Sequence, residues 1–177
     1  MRVFSRFLTT MVLSAYYVTG TSLLNPASPA SGTFSQFLAD YEADYTNKVF
    51  LGPEDDIALL WKVNGDHIEL AVAAGASGWV GFGISDAGAM PGADIITFEA
   101  ATKTLTDRHS LKFAKPIPDL CQDDWTLVGS GSDENCIFFR ATRALVTNDP
   151  QDRNLIDDSD LVVQATPVVV AWGDHPT

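Results

Sequence analysis

The chain has 177 residues, 46% of them apolar and 19% charged, with a formal net charge of −12 and an isoelectric point near 4.3. That balance excludes a disordered chain, since there is apolar surface enough for a core. It also argues against a nucleic-acid partner, because phosphate backbones repel so acidic a protein. The length suits one domain of ordinary size. Solvated surface carboxylates explain most of the acidity; a subset that holds a hard cation is the more specific reading.

The first 20 residues read as a secretory signal peptide. Arg2 and Arg6 precede an apolar run, Phe7 to Val18, and the small residues Gly20, Thr21 and Ser22 follow it. The run is short of the roughly 20 apolar residues a membrane span needs. Cleavage is therefore expected after Gly20, giving a secreted, more acidic mature chain with no membrane contact. Residues 21–44 are rich in Ser, Pro, Ala and Thr and read as a linker, with a short helical turn over 34–41. The folded domain is expected over 45–177.

From there strand signals dominate. Runs at 57–63 and 67–73 are separated by Asn64-Gly65, a strong hairpin signal. Further strands are expected at 78–84, 94–98, 103–107, 124–128, 136–140 and 168–172. Short strands at this spacing, divided by Gly, Asp, Asn and Pro, predict an all-β fold of sandwich architecture. Secretion would place Cys121 and Cys136 in an oxidising compartment, so a disulfide between them is expected. Closing a loop of about 15 residues, it would contribute on the order of 3 kcal/mol.

The sequence carries little that looks catalytic. His67, His109 and His175 are far apart and form no metal-ligand spacing, and there is no phosphate-binding loop or Gly-x-Ser-x-Gly element. Gly81-Phe82-Gly83 lies inside a strand pattern, where glycines serve packing. No spacing singles out a hydrolytic carboxylate pair. Trp61, Trp79, Trp125 and Trp172 would suit carbohydrate or protein recognition if exposed, but their strand positions place most of them in a core.

One set of motifs is distinctive. It comprises Gly78-Trp79-Val80-Gly81-Phe82-Gly83-Ile84-Ser85, Gly88-Ala89-Met90-Pro91-Gly92-Ala93-Asp94-Ile95, Gln122-Asp123-Asp124-Trp125, Arg143-Ala144-Leu145-Val146-Thr147-Asn148-Asp149 and the closing Val168-Val169-Val170-Ala171-Trp172-Gly173. Together, over about 45–177, these resemble a DOMON domain, and most the N-terminal DOMON domain of dopamine β-monooxygenase and MOXD-like copper monooxygenases. The resemblance implies an immunoglobulin-like antiparallel β-sandwich with an accessory or ligand-binding role. It implies no catalytic residues of the chain's own, since the family's copper chemistry belongs to His-rich domains and this chain has no His cluster to hold copper. A copper monooxygenase domain or another redox enzyme is the implied partner.

Two cofactor readings follow from the resemblance. The monooxygenase branch implies a metal, Ca²⁺ by ligand type, held by Asp94, the Ile95 and Arg108 carbonyls and Asp124. The cellobiose dehydrogenase cytochrome branch implies haem b between Met90 and a His, for which His175 is the candidate. His175 follows Gly173 by two residues, close to the end of the chain, a poor place to hold a ligand.

Overall fold

The computed structural model describes residues 14–18, 32–52, 56–120, 123–155 and 166–175. Its elements in chain order are β1 (Ser14–Val18), α1 (Gly32–Tyr41), a single 3₁₀ turn (Glu42–Asp44), β2 (Asn47–Leu51), β3 (Ile57–Asn64), β4 (His67–Ala74), β5 (Trp79–Ile84), β6 (Asp94–Glu99), β7 (Thr104–His109), β8 (Ile117–Pro118), β9 (Thr126–Ser132), β10 (Ile137–Ala144) and β11 (Thr166–Gly173). They form two antiparallel sheets, β1-β11-β5-β6-β7-β8 and β2-β3-β4-β10-β9. The expected all-β sandwich is present.

Strand alternation builds the core. In β10 the residues Ile137, Phe139, Ala141 and Arg143 are buried while their neighbours are half-buried, the period of two of a strand with one inward face. Ile137, Phe139 and Ala141 meet Leu59, Leu70 and Val72 of their own sheet and Val80, Phe82, Ile96 and Phe98 of the other. The hairpin between β3 and β4 pairs Asn64 with His67. Gly65 sits in its turn at φ 64°, a left-handed value that suits glycine. β5 is buried on both faces. A Cβ on Gly83 would lie 2.8 Å from both Ile95 and Val169, so the glycine is a close-approach position inside the sheet, as its strand context predicts.

The N-terminal part differs from the sequence reading. Residues 21–44 read as a linker, yet α1 packs on the outer face of the five-stranded sheet. Phe34 and Phe37 are buried against Ala58, Leu60, Ala71, Ala73 and Cys136. The outward alanines of β4 leave room for the helix to approach, and so β4 lacks polar alternation. Outside this contact, Glu69 ties the sheet to the segment that follows the 3₁₀ turn: it accepts from Tyr45 Oη (2.9 Å) and Arg140 Nη2 (2.8 Å), and Lys62 lies 3.2 Å away. Burial alone would raise the Glu69 pKa, but these donors outweigh it and hold the carboxyl below its ordinary value. The folded unit therefore starts before Tyr45. Within the expected leader, residues 14–18 form β1, paired antiparallel with β11.

Cys136, a free thiol among the described residues, is buried where α1 packs on the sheet, and burial pushes its pKa up to about 12. Cys121, its expected disulfide partner, lies outside the described residues.

Candidate cation site

Among the described residues, buried carboxyls gather at the edge of the sandwich where β6 begins and β10 ends. β6 opens with Asp94, which is 2% exposed. β7 contributes Asp107, opposite Ile96 in register and 4% exposed. Asp152 comes from the loop after β10, which turns through Asn148 at φ 66° and is 8% exposed at Asp152 itself. Carboxylate oxygens of these three residues all lie within 4.8 Å of one another. Asp124 joins them: its backbone N–H donates to Asp107 Oδ2 (3.2 Å), and its carboxyl is hydrogen-bonded to that of Asp152.

Among the described residues, one buried cation stands against these four carboxyls. Arg143 is 1% exposed because it occupies the last inward position of β10, where the alternation that buries Phe139 and Ala141 also buries the guanidinium. Its Nη1 donates to Asp94 (2.5 Å) and to Asp152 (3.4 Å), and its Nη2 donates to the Arg153 carbonyl (2.6 Å). The Trp125 ring lies 5.0 Å from the guanidinium carbon, a cation–π distance. Arg153 gives Asp94 a backbone N–H at 3.0 Å, while its own guanidinium reaches out to the exposed Asp86.

The negative charge is thus under-compensated, and the carboxyls show it. Burial and the neighbouring charge of Asp94 push Asp107 up to about 8. Burial and the same neighbour push Asp152 up to about 7. Asp94 is also raised by burial, although Arg143 opposes the shift. Asp107 Oδ1 is buried and has no hydrogen-bond partner among the described residues, a state that costs free energy unless something fills it. His109 Nδ1 is likewise buried without a partner, and His109 faces Asp94 in register. This donor set of hard oxygens with an orphaned acceptor fits a Ca²⁺-type ion.

Of the expected metal residues, Asp94 and Asp124 are in this cluster. Ile95 and Arg108 are register partners one step along β6 and β7. The Arg108 side chain turns away, donating to Thr97 Oγ1 (2.8 Å) and the Pro116 carbonyl (3.2 Å). The sequence reading missed Asp107, Asp152 and Arg143 as site residues. A charged residue on the apolar face of each strand, Asp107 in line with Leu105 and Arg143 in line with Ala141, was the available signal.

The expected haem ligands are not brought together. Met90 is buried with Ala93, Ile95 and Val169, against the middle of β11, whereas His175 is exposed just past the C-terminal end of that strand, beside Gly78. The four strand steps from Val169 to Gly173 alone span about 13 Å, and His175 lies past that end of the strand. The residues present do not fit a haem ligated by that pair. Of the tryptophans, Trp79 and Trp125 are buried, and Trp61 and Trp172 are half-buried against the core, so they form no open stacking face.

These features define a β-sandwich module with a polar site at one edge. The DOMON domain family model matches residues 53–165, and the chain belongs to the DOMON family. Among solved structures it is similar to the cytochrome domain of Myriococcum thermophilum cellobiose dehydrogenase, at 14% identity and a TM-score of 0.44, over 55% of this chain and 54% of that one. The match therefore spans about half the length of that structure. No helix among the described residues is long and apolar enough to cross a membrane.

Proposed function

We propose that this chain is a secreted, non-catalytic DOMON module of the copper-monooxygenase type, which holds a hard cation, Ca²⁺, among Asp94, Asp107, Asp124 and Asp152. The observation that carries the reading is the orphaned, buried Asp107 Oδ1 among four carboxyls served by a single buried guanidinium. Ca²⁺ takes six to eight oxygens at about 2.3–2.6 Å, which carboxylates, main-chain carbonyls near Ile95 and Arg108, and water supply together. The ion ties the β6–β7 edge to the loops carrying Asp124 and Asp152, fixing a surface for a copper monooxygenase domain or other redox partner.

Terbium luminescence tests this. Tb³⁺ takes Ca²⁺ sites, and Trp125, packed on Arg143, is placed to sensitise it. The reading expects saturable emission that Ca²⁺ displaces and that Asp107→Asn abolishes. Emission that is absent, or is unchanged in Asp107→Asn, would overturn it.

A further inference from the structure

Exposed apolar side chains gather in the hairpin that joins β7 to β8. Leu111 and Phe113 are 71% and 72% exposed in its loop, and the exposed Ile117 and Leu120 follow in and just after β8. The loop is held at both feet. The Ser110 backbone N–H donates to the Ala93 carbonyl (2.9 Å), and the Ser110 carbonyl accepts from the Gly92 N–H (2.6 Å). At the other foot Arg108 Nη1 donates to the Pro116 carbonyl (3.2 Å). Between them the Lys112 carbonyl accepts from Ser110 Oγ (2.9 Å) and from the Ala114 N–H (2.8 Å). The second of these bonds closes a three-residue turn with Phe113 at its apex. A large apolar side chain is thus held out into water on a braced loop with apolar neighbours, the mark of an interaction surface.

Two lysines stand among these residues. Lys48 pairs with Glu42 and Lys62 with Glu69, whereas Lys112 and Lys115 are exposed and their ammonium groups have no partner among the described residues. In a chain of net charge −12, unpaired cations flanking an apolar apex suit an anionic partner. Two observations favour lipid over protein. Lysine is depleted from protein–protein interfaces, while at a bilayer its stem lies along the apolar layer and its ammonium reaches the phosphates. Strand addition is blocked, because β8 ends its sheet and carries Pro118, two residues after Pro116. The chain's other carboxylates are screened beyond about 8 Å at physiological salt, and lysines in contact with lipid are not.

We propose that residues 111–115 form a membrane-docking loop, which seats Leu111 and Phe113 below the headgroups of an anionic phospholipid surface and sets Lys112 and Lys115 against its phosphates. Such a loop needs no membrane span, so it departs from the sequence expectation of no membrane contact, which rested on the lack of a long apolar run. It uses neither the cation cluster nor its ion.

The test is co-sedimentation of the full chain with sucrose-loaded vesicles of equal parts phosphatidylcholine and phosphatidylserine, at millimolar lipid because docking on so few side chains is reversible. EDTA keeps Ca²⁺ from bridging the acidic chain to phosphatidylserine, and makes the outcome independent of the cation site. The parent should pellet with lipid. Phe113→Ala should weaken binding by about tenfold or more, and Lys112→Gln with Lys115→Gln by about twentyfold. Val128→Ala, at an exposed apolar position on β9 of the other sheet, should change nothing. Phe113→Trp should add an emission that brominated lipid quenches. These side chains are exposed, so melting curves should match the parent's. A parent that stays in the supernatant, a Phe113→Ala variant that binds as the parent does, or a Phe113→Trp emission that brominated lipid leaves unchanged would overturn the proposal. So would self-association of the lipid-free parent in the ultracentrifuge that Phe113→Ala abolishes, since that would assign the loop to a second copy of the chain.

Discussion

Replacing Asp107 by Asn separates a cation site from a plain buried polar network. The carboxyl is raised from 3.8 to about 8 by burial and by Asp94. Holding it ionised at pH 8 would cost the folded state up to about 5 kcal/mol. Its neighbours titrate together with it, so one substitution should release about 2–3 kcal/mol of that. Asn is close to isosteric with the protonated acid, and its amide supplies a donor where the carboxyls of Asp94 and Asp152 stand within 4.8 Å. In EDTA at pH 8, Asp107→Asn should therefore melt higher than the parent, by roughly 5–10 °C for a domain of this size. In millimolar Ca²⁺ the order should reverse, because the parent gains binding free energy, about 2.7 kcal/mol at a hundredfold excess over Kd, while the variant has lost a ligand. The assay is a pair of thermal melts by circular dichroism. A variant that melts lower than the parent in both buffers by the same amount would show that Asp107 is only a structural acceptor, and would refute the charge argument.

Arg143→Met should lower stability in EDTA by about 3–5 kcal/mol, since it strands buried carboxylates, and Ca²⁺ should recover more of the loss than it adds to the parent; urea unfolding measures both. The pH dependence of the metal-free chain should run opposite to ordinary acid denaturation over this range. Asp107 and Asp152 have folded pKa values of about 8 and about 7, above their ordinary carboxylate value, so the folded state holds protons that the unfolded chain releases. Stability should then be greatest near pH 4 and fall as pH rises to about 8. Urea midpoints in EDTA that rise from pH 5 to pH 8 would contradict this. Phe37→Ala should cost about 3–5 kcal/mol, because the side chain is 2% exposed under α1; a change below 1 kcal/mol would mean the helix is dispensable.

Local chemistry made much of the sandwich readable. The hairpin at Asn64-Gly65 and the runs that became β3, β4, β5, β6 and β10 carry their own period and turn signals. α1 was readable only as a helical turn, because its burial depends on outward alanines of β4 some thirty residues away. The acidic site was half readable. Asp94 and Asp124 lie in motifs, whereas Asp152 comes from a loop whose path is set by Asn148 at φ 66° and by contacts distant in sequence. Arg143 was part of a recognisable motif and alternates with Ala141, but its role follows from Asp94 and Asp152, which other parts of the chain bring to it. Met90 and His175 show the converse failure. Each fits a motif position, yet Met90 packs on the middle of β11 at Val169 while His175 lies beyond that strand's end.

The most direct test of the central claim is isothermal titration of Ca²⁺ into the EDTA-stripped chain at pH 7.5, with Asp107→Asn alongside. The account predicts one saturable site per chain, proton release on binding as the raised carboxyls ionise, and no heat of binding in the variant. A parent chain that takes up no Ca²⁺, or a variant that binds as the parent does, would contradict it.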